Sequence, residues 1–179
     1  YYVAHWENSG IVALDVDTGK LKWFYQFTPH DELDYDSTQV PVLADLSWRG
    51  TPRKVMLWAN RNGILYVLDR VTGALLTGKP YVNHNWFGGF DAKGRLQVLP
   101  GMEIDKNPKL FRPHVHGAIN WAPTSFSPRT GLYYVAHWEN SGIVALDVDT
   151  GKLKWFYQFT PHDELDYDST QVPVLADLS

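Results

Sequence analysis

The stretch Ala13-Leu14-Asp15-Val16-Asp17-Thr18-Gly19-Lys20-Leu21-Lys22-Trp23 decides the fold, and it occurs a second time as Ala145–Trp155. Apolar and aromatic residues flank a short segment of Asp, Thr and Gly, residues that favour tight turns. The stretch therefore predicts two antiparallel strands joined by a hairpin. We expect the small Ala13 to permit close contact between sheets, and both Trp23 and its copy Trp155 to pack on a neighbouring sheet.

An internal repeat is the dominant feature of the whole chain. Residues 1–47 recur letter for letter as residues 133–179. Diverged repeats keep their hydrophobic pattern while surface residues change, so the constraint of a common fold does not explain this identity. A recent duplication, an engineered tandem design, a window of a longer array and a partial reading of a longer protein all stay open.

Two four-stranded antiparallel meanders are predicted from β-branched and aromatic runs that alternate with Gly, Asn, Asp and Pro. The strands of one meander are expected over residues 39–46, 53–59, 64–68 and 75–82, and those of the other over 120–127, 132–138, 143–148 and 153–159. Successive meanders of this kind are the blades of a β-propeller.

The fold class is therefore predicted to be all-β, a single partial propeller region with an incomplete ring. The predicted parts are a partial blade over 1–27, a blade over 37–82, an insertion over 83–117, a blade over 118–159 and the start of another blade over 169–179. Both ends of such a stack expose blade faces, so we expect surfaces suited to self-association.

Composition excludes several classes of protein. The 179 residues include 8 Trp, 10 Tyr and 8 Phe, too many aromatic side chains for a disordered chain. A net charge of −4 without a basic stripe argues against a nucleic-acid partner. No apolar run approaches the roughly 18 residues of a membrane span. The absence of Cys excludes disulfides, thiolate metal sites and covalent haem attachment.

The pattern A-x-D-x-x-T-G-K-x-x-W resembles the tryptophan-docking motif of the quinoprotein, or PQQ-dependent, alcohol and methanol dehydrogenases. Three other segments also resemble that family, in family order. They are Tyr25–Asp36, similar to Y-Q-x-T-P-H-D-x-W-D-Y; Arg53–Gly63 with Tyr66–Arg70; and Gly117–Gly131, similar to G-x-x-N-W-x-P. The resemblance implies an eight-bladed propeller, PQQ with a calcium or lanthanide ion, an alcohol substrate, a separate electron acceptor such as a cytochrome, and a periplasmic location.

The resemblance also implies roles for individual residues. Asp34, with its copy Asp166, matches the base that takes the hydroxyl proton of the alcohol. Arg61 and Asn120 match residues that contact the cofactor, and a planar guanidinium suits two adjacent quinone oxygens.

The metal site is implied by the second acidic position of the same segment. Asp36, with its copy Asp168, matches an acidic ligand of the lanthanide-using members, beside Asp34 and Asp166. The competing interpretation is structural, because aspartates in turns commonly cap the backbone without any chemistry. His114 and His116 also have a spacing that metals accept, but local polar packing is favoured for them.

Departures from the family pattern leave two functions open. Leu33 stands where the family motif has Trp, the adjacent-cysteine disulfide cannot form, and the glutamate and asparagine metal ligands of earlier blades have no clear counterpart. One function is a portion of a PQQ-dependent alcohol dehydrogenase that oxidises a primary alcohol to an aldehyde. The alternative is a non-catalytic or engineered propeller scaffold that keeps the blade-docking motifs.

Overall fold

Antiparallel β-sheet accounts for the regular secondary structure of the protein. The computed structural model describes residues 1–5, 9–31, 33–103, 109–138, 142–161 and 171–176, and no helix occurs within these ranges. The strands are β1 (Tyr2–His5), β2 (Gly10–Leu14), β3 (Leu21–Gln26), β4 (Val42–Trp48), β5 (Thr51–Ala59), β6 (Ile64–Asp69), β7 (Leu75–Pro80), β8 (Phe87–Phe90), β9 (Leu96–Val98), β10 (Ser125–Ser127), β11 (Leu132–His137), β12 (Gly142–Asp147) and β13 (Leu153–Gln158). A helix long and apolar enough to cross a bilayer is likewise missing from the described ranges.

The sheets are meanders in which strands consecutive in sequence are neighbours in space. Blade 1 contains β1–β3, blade 2 contains β4–β7 and blade 3 contains β10–β13, while β8 pairs only with β9. Every pairing is antiparallel. The predicted all-β architecture of consecutive meanders is confirmed, and the β8–β9 hairpin is added to it. The exact limits of the blades and of the insertion stay predictions.

The Asp-Thr-Gly hairpin turns have the geometry that their residues predict. Asp15 Oδ1 accepts hydrogen bonds from the backbone N–H of Thr18 at 3.0 Å and from its hydroxyl at 2.9 Å. Asp147 and Thr150 repeat both contacts at 2.9 and 2.8 Å. Gly19 follows with a φ of +68°, which an L side chain adopts only at a cost. The repeated sequence thus forms the same turn twice.

The strand expected over 120–127 is shorter in the structure, where β10 begins at Ser125. Asn120 instead belongs to a loop, and its Oδ1 accepts a hydrogen bond from the Thr38 hydroxyl at 3.3 Å. The β10–β11 ladder begins at Ser125, which pairs with Tyr134. The alternation of residue types predicts a strand here but does not predict this cross-loop contact.

Blade 2 is buried on both faces. Successive side chains of a strand point to opposite faces, and in β5 Met56 and Trp58 pack toward blade 1 while Val55 and Leu57 pack toward blade 3. Every residue of β6 is buried. A strand in a sheet that is covered on both sides has a continuous apolar sequence rather than a strict alternation of apolar and polar residues. Ile64–Leu68 has this continuous pattern.

Trp23 docks on blade 2 as the sequence predicts, and its copy does not dock on any described blade. A Cβ added at Gly73 would lie 2.7 Å from two ring carbons of Trp23, so the indole ring covers the β6–β7 turn. Trp155 is 43% exposed, and its ring lies 5.8 Å from that of Tyr134 in its own blade. The docking expected of Trp155 is therefore wrong for the described part of the chain.

The two tryptophans form a matched pair for a stability measurement. In dilute solution we expect Trp23→Ala to lower the free energy of unfolding by about 2–4 kcal/mol, because it empties part of the contact between blades 1 and 2. We expect Trp155→Ala to cost less than about 1 kcal/mol, because the side chain is exposed. Urea unfolding followed by circular dichroism measures both, and equal losses would contradict the docking of Trp23.

Candidate functional site

Three loops meet at one end of blade 2. Residues 27–41 connect β3 to β4, residues 60–63 connect β5 to β6, and residues 113–124 precede β10. The backbone N–H of Ala118 donates to the carbonyl of Arg61 at 2.9 Å, which ties the second loop to the third. The predicted residues Asp34, Arg61 and Asn120 each lie on a different one of these loops.

Residues 34–39 have one buried edge and one edge toward the site. Tyr35, Ser37 and Gln39 are buried, and Ser37 and Gln39 accept hydrogen bonds from Asn60 Nδ2 at 2.8 Å and from Trp58 Nε1 at 3.1 Å. The intervening Asp34, Asp36 and Thr38 are less buried and lie on the opposite edge. The Thr38 N–H also donates to the Asp36 carbonyl at 2.9 Å, so the anchored residues hold the others in a tight turn.

Tyr35 is the strongest anchor of this segment. It is fully buried, its ring stacks on Trp86 with centroids 5.7 Å apart, and its hydroxyl donates to the carbonyl of Pro113. The backbone carbonyl of Tyr35 accepts from the Ser9 hydroxyl at 3.1 Å. Burial raises the pKa of the Tyr35 hydroxyl, so it stays neutral and acts as a donor. The neighbouring Asp34 has a φ of +60°, a conformation that is uncommon for a residue with a side chain.

Arg61 is nearly buried and is held mainly by backbone. Its Nη2 donates to the Val115 carbonyl at 3.0 Å and lies 3.5 Å from Asp34 Oδ2. The Arg61 side chain is 9% exposed, whereas that of Asp34 is 64% exposed. An ion pair with so exposed a carboxylate contributes little to stability. Arg61 therefore keeps its place independently of the charge on Asp34.

Two buried donors beside the site lack an acceptor within the described ranges. They are Arg61 Nε and Trp138 Nε1. Trp138 is connected to Arg61 through Ala118, because the Trp138 N–H donates to the Ala118 carbonyl at 3.0 Å and the Ala118 N–H donates to the Arg61 carbonyl. A buried donor without a partner is costly, so this end of blade 2 is chemically suited to a ligand that presents acceptor oxygens.

Gly117 makes room for Arg61. A Cβ at Gly117 would lie 2.1 Å from Arg61 Cγ and 2.6 Å from the Arg61 carbonyl oxygen, and the φ of Gly117 is +77°. Both the space and the backbone conformation require glycine at this position. The G-x-x-N segment thus places Arg61 as well as Asn120.

Asp34 and Asp36 form a pair of like charges beside Arg61. Burial, the Asp34 charge and a hydrogen bond to Asp34 raise the pKa of Asp36, and Arg61 opposes the shift. The pair can lower its repulsion by holding a proton or by binding a cation. Carboxylate oxygens suit the hard ions calcium and lanthanide.

The other candidate ligands are an acidic pair and a histidine pair. Asp166 and Asp168 lie outside the described residues. The rings of His114 and His116 are 5.4 Å apart, and His116 also faces Trp138 at 6.2 Å. Within the described ranges there is no group of three or more His, Cys, Asp and Glu side chains that could hold a metal ion.

Sequence reasoning missed three participants: Thr38, Gly117 and the carbonyl of Val115. A signal for Thr38 was present, because it continues the every-other-residue spacing of Asp34 and Asp36. Gly117 acts by leaving space for Arg61, and Val115 acts through its backbone carbonyl. The residue types at these two positions gave no comparable signal.

The fold and this loop cluster together define a β-propeller region with a polar site at one end of its blades. The family model of the PQQ glucose/ethanol/alcohol dehydrogenase β-propeller domain matches residues 4–79 and 137–179, which is more than half of the chain. The chain belongs to this family.

Curated relatives and solved structures agree with the assignment. The chain is 46% identical over 127 residues to a quinohemoprotein alcohol dehydrogenase of Comamonas testosteroni, covering 71% of this chain and 18% of that protein. It is 41% identical over 126 residues to the 1-butanol dehydrogenase (cytochrome c) of Thauera butanivorans, covering 70% of this chain and 18% of the relative. The chain thus spans less than a quarter of these relatives.

Two solved structures resemble most of the chain. The crystal structure of the Comamonas testosteroni quinohemoprotein alcohol dehydrogenase superposes with a TM-score of 0.79 at 33% identity, covering 87% of this chain and 29% of that one. A europium-containing methanol dehydrogenase superposes with a TM-score of 0.78 at 28% identity, covering 86% of this chain and 33% of that one. The predicted family and fold class are confirmed.

Gly117 gives a test of how the arginine is positioned. We expect Gly117→Ala to lower the free energy of unfolding by roughly 2–4 kcal/mol, because the methyl group collides with Arg61 and the residue keeps a positive φ. The matched control is Gly101→Ala, since Gly101 also has a positive φ of +81° but nothing lies within 4 Å of its added Cβ. Urea unfolding measures both, and equal losses would mean that contact with Arg61 adds nothing.

Asp36 gives a test of the carboxylate pair. The raised pKa of Asp36 means that its carboxyl group binds a proton more tightly in the folded than in the unfolded protein. Protonation of Asp36 therefore stabilises the fold fully below the unfolded pKa of 3.8, and this stabilisation is lost as the pH rises through the folded pKa. At neutral pH we therefore expect Asp36→Asn to raise the free energy of unfolding by up to about 1 kcal/mol. The gain should disappear at about pH 3.

The control for charge removal is Asp17→Asn on the exposed β2–β3 turn of blade 1. Unfolding curves at both pH values give the comparison. A gain for Asp36→Asn that is unchanged in acid, or that Asp17→Asn matches, would contradict the repulsion between Asp34 and Asp36.

Proposed function

We propose that this chain is a portion of a PQQ-dependent alcohol dehydrogenase that oxidises a primary alcohol to an aldehyde. The observation that carries the proposal is the nearly buried Arg61, with a donor still without an acceptor in the described ranges, beside the exposed carboxylate of Asp34. Family membership supports the cofactor class, and the contacts of each side chain support its proposed task.

Arg61 and Asn120 are the proposed cofactor contacts. A guanidinium presents several donors in one plane and can serve two adjacent oxygens. The Asn120 Oδ1 is engaged by Thr38, which directs the donor end of the same amide away from that hydroxyl. Both side chains therefore offer N–H groups to the carbonyl and carboxylate oxygens of a quinone such as PQQ.

Asp34 and Asp36 are the proposed ligands of a calcium or lanthanide ion. Their mutual repulsion falls when a cation lies between them, and their oxygens are the ligands that such ions prefer. The described residues supply two carboxylates, fewer than the 6–8 oxygens that calcium typically takes. The remaining ligands would come from outside the described residues, where Asp166 and Asp168 are the corresponding acidic pair.

Asp34 is also the proposed base. Its carboxylate is exposed to an incoming alcohol, and Arg61 Nη2 lies 3.5 Å from Asp34 Oδ2. When bound, PQQ would supply the acceptor for a hydride from the alcohol carbon, and the metal ion would supply Lewis acidity to the quinone. Asp34 would take the hydroxyl proton, and the loss of both this proton and the hydride would turn the alcohol into an aldehyde.

Electrons would then pass to a separate acceptor such as a cytochrome. The chain has no Cys for covalent haem attachment, and the relative from Thauera butanivorans carries cytochrome c in its name. We infer a periplasmic location from the family alone.

A non-catalytic propeller scaffold is the second candidate function. The literal repeat of residues 1–47 favours it, and so does the absence of a three-ligand metal cluster from the described ranges. The two functions differ in one measurable property, which is the binding of PQQ to the folded chain.

The test is a titration with PQQ in the presence of calcium or lanthanum, followed by the quinone absorbance and by quenching of tryptophan fluorescence. We expect saturable binding that Arg61→Ala weakens at least tenfold, about 1.4 kcal/mol or more. Arg53→Ala is the matched control, because Arg53 is paired with Asp69 away from the site. Asp34→Asn should keep PQQ binding and abolish alcohol-dependent dye reduction.

The outcomes separate the two functions. Folded protein that binds no PQQ with either metal overturns the enzyme proposal and favours the scaffold. Equal weakening by the Arg61 and Arg53 variants would remove Arg61 from the cofactor site, and turnover that survives Asp34→Asn would remove the base.

A further inference from the structure

The connection between β7 and β8 contacts both halves of the candidate site. One half is residues 60–63, the arginine loop, and the other is residues 34–39, the acidic segment. His84 and Trp86 lie on this connection, and each contacts one of the two halves. Neither side chain takes part in the proposed chemistry, yet together they join the two groups of residues that the chemistry must hold at a fixed separation.

His84 makes the contact with the arginine loop. Its Nδ1 accepts a hydrogen bond from the backbone N–H of Phe87 at 3.1 Å, and its Nε2 lies 3.3 Å from the carbonyl oxygen of Asn62, the residue after Arg61. Since a neutral imidazole has one acceptor and one donor nitrogen, these partners assign the proton to Nε2. Burial lowers the pKa of His84 to about 4, so the ring is neutral at physiological pH and keeps both contacts.

Trp86 makes the contact with the acidic segment. Its side chain is buried, and its ring centroid lies 4.9 Å from that of His84 and 5.7 Å from that of Tyr35. The planes of Tyr35 and Trp86 differ by 21°, so the two rings are stacked. Because stacked aromatic rings prefer a defined offset and distance, the position of Trp86 determines that of Tyr35.

The same connection is also tied to the residues that hold the hydroxyl of Tyr35. The amide of Asn85 donates to the carbonyl of Leu110 at 2.6 Å and accepts from the backbone N–H of Arg112 at 2.8 Å. Pro113 follows directly, and its carbonyl accepts the hydrogen bond from the Tyr35 hydroxyl. Tyr35 is therefore held at its ring and at its hydroxyl by two segments that Asn85 joins.

We propose that Trp86 is a positioning residue that sets the separation between Arg61 and Asp34. With His84 it forms an aromatic spacer, which runs from the carbonyl after Arg61 to the ring after Asp34. Arg61 Nη2 lies 3.5 Å from Asp34 Oδ2, and an ion pair with so exposed a carboxylate is weak, so the separation depends on how the two loops are held. The importance of this separation rests on the proposed function, in which Asp34 is the base and Arg61 contacts the cofactor.

Hydrogen exchange measures this positioning in the chain without cofactor. The probe is the Thr38 N–H, which donates to the Asp36 carbonyl at 2.9 Å in the acidic segment. The reference is the Asn60 N–H, which donates to the Ile64 carbonyl at 3.0 Å in blade 2. We expect Trp86→Leu to speed exchange at Thr38 roughly tenfold more than at Asn60, because the acidic segment loses its support while blade 2 keeps its own.

Two milder variants test the same spacer. Trp86→Phe keeps an aromatic ring against Tyr35, so we expect it to restore most of the protection at Thr38. His84→Leu removes the ring that joins Trp86 to the arginine loop and leaves an apolar side chain of similar size in its place. We expect it to speed exchange at Thr38 by about threefold relative to the reference amide, and it carries the test if Trp86→Leu does not fold.

The matched control is Trp48→Leu, which removes a buried indole where β4 meets β5, at the end of blade 2 opposite the site. This variant weakens the core without touching the spacer, so exchange at Thr38 and Asn60 should change by the same factor. If Trp86→Leu also changes the two amides equally, Trp86 only fills the core and the proposal is overturned. Selective loosening of Thr38 by Trp48→Leu would overturn it as well.

A second measurement separates the spacer from the proposed function. With PQQ and calcium or lanthanum present, we expect Trp86→Leu to lower kcat roughly tenfold or more and to change the dissociation constant of PQQ less than about threefold, because Asp34 is displaced and Arg61 is not. Unchanged kcat, or a loss of PQQ affinity as large as the loss of kcat, overturns the spacer. A wild-type chain that binds no PQQ overturns the proposed function alone, and the hydrogen-exchange result then decides the spacer by itself.

Discussion

The packing of blade 2 between its two neighbours is the constraint on which the rest of the structure depends. All six residues of β6 are buried, and the alternating side chains of β5 enter two different cores. The apolar area removed from water on both faces is the main stabilising contribution available to a chain without disulfides. Because blade 2 is fixed on both sides, the loops at its end are held at fixed positions as well.

The candidate site uses this fixed frame and adds little stability of its own. Arg61 follows directly from a buried strand, and its carbonyl and guanidinium both bond to the loop before β10. The acidic edge of residues 34–39 is aligned because Tyr35, Ser37 and Gln39 are anchored beneath it. A rigid scaffold that carries polar side chains on loops is the usual way in which a propeller or barrel presents a site.

The features that the sequence predicted are those governed by local chemistry. The Asp15 and Asp147 turns, the meanders and the docking of Trp23 follow from turn propensity, strand periodicity and the need to bury an indole. The family resemblance pointed to Asp34, Asp36, Arg61 and Asn120, and the structure brings these four residues to one end of blade 2, although their chemical roles are still proposals.

The features that the sequence did not predict depend on contacts between distant parts of the chain. The bond between Asn120 and Thr38 joins residues 82 apart in the sequence, and the need for Gly117 reflects the space that Arg61 occupies. The exposure of Trp155, identical in local sequence to Trp23, depends only on what lies beside its blade.

The backbone conformation of Asp34 limits which residues evolution can place there. At a φ of +60° glycine, asparagine, aspartate and histidine are favoured, and β-branched or bulky residues are strained. Glycine carries no side chain and asparagine cannot ionise, so aspartate is the favoured residue that supplies a carboxylate. The shape of the main chain by itself thus favours a short acidic side chain at this position over a β-branched apolar one.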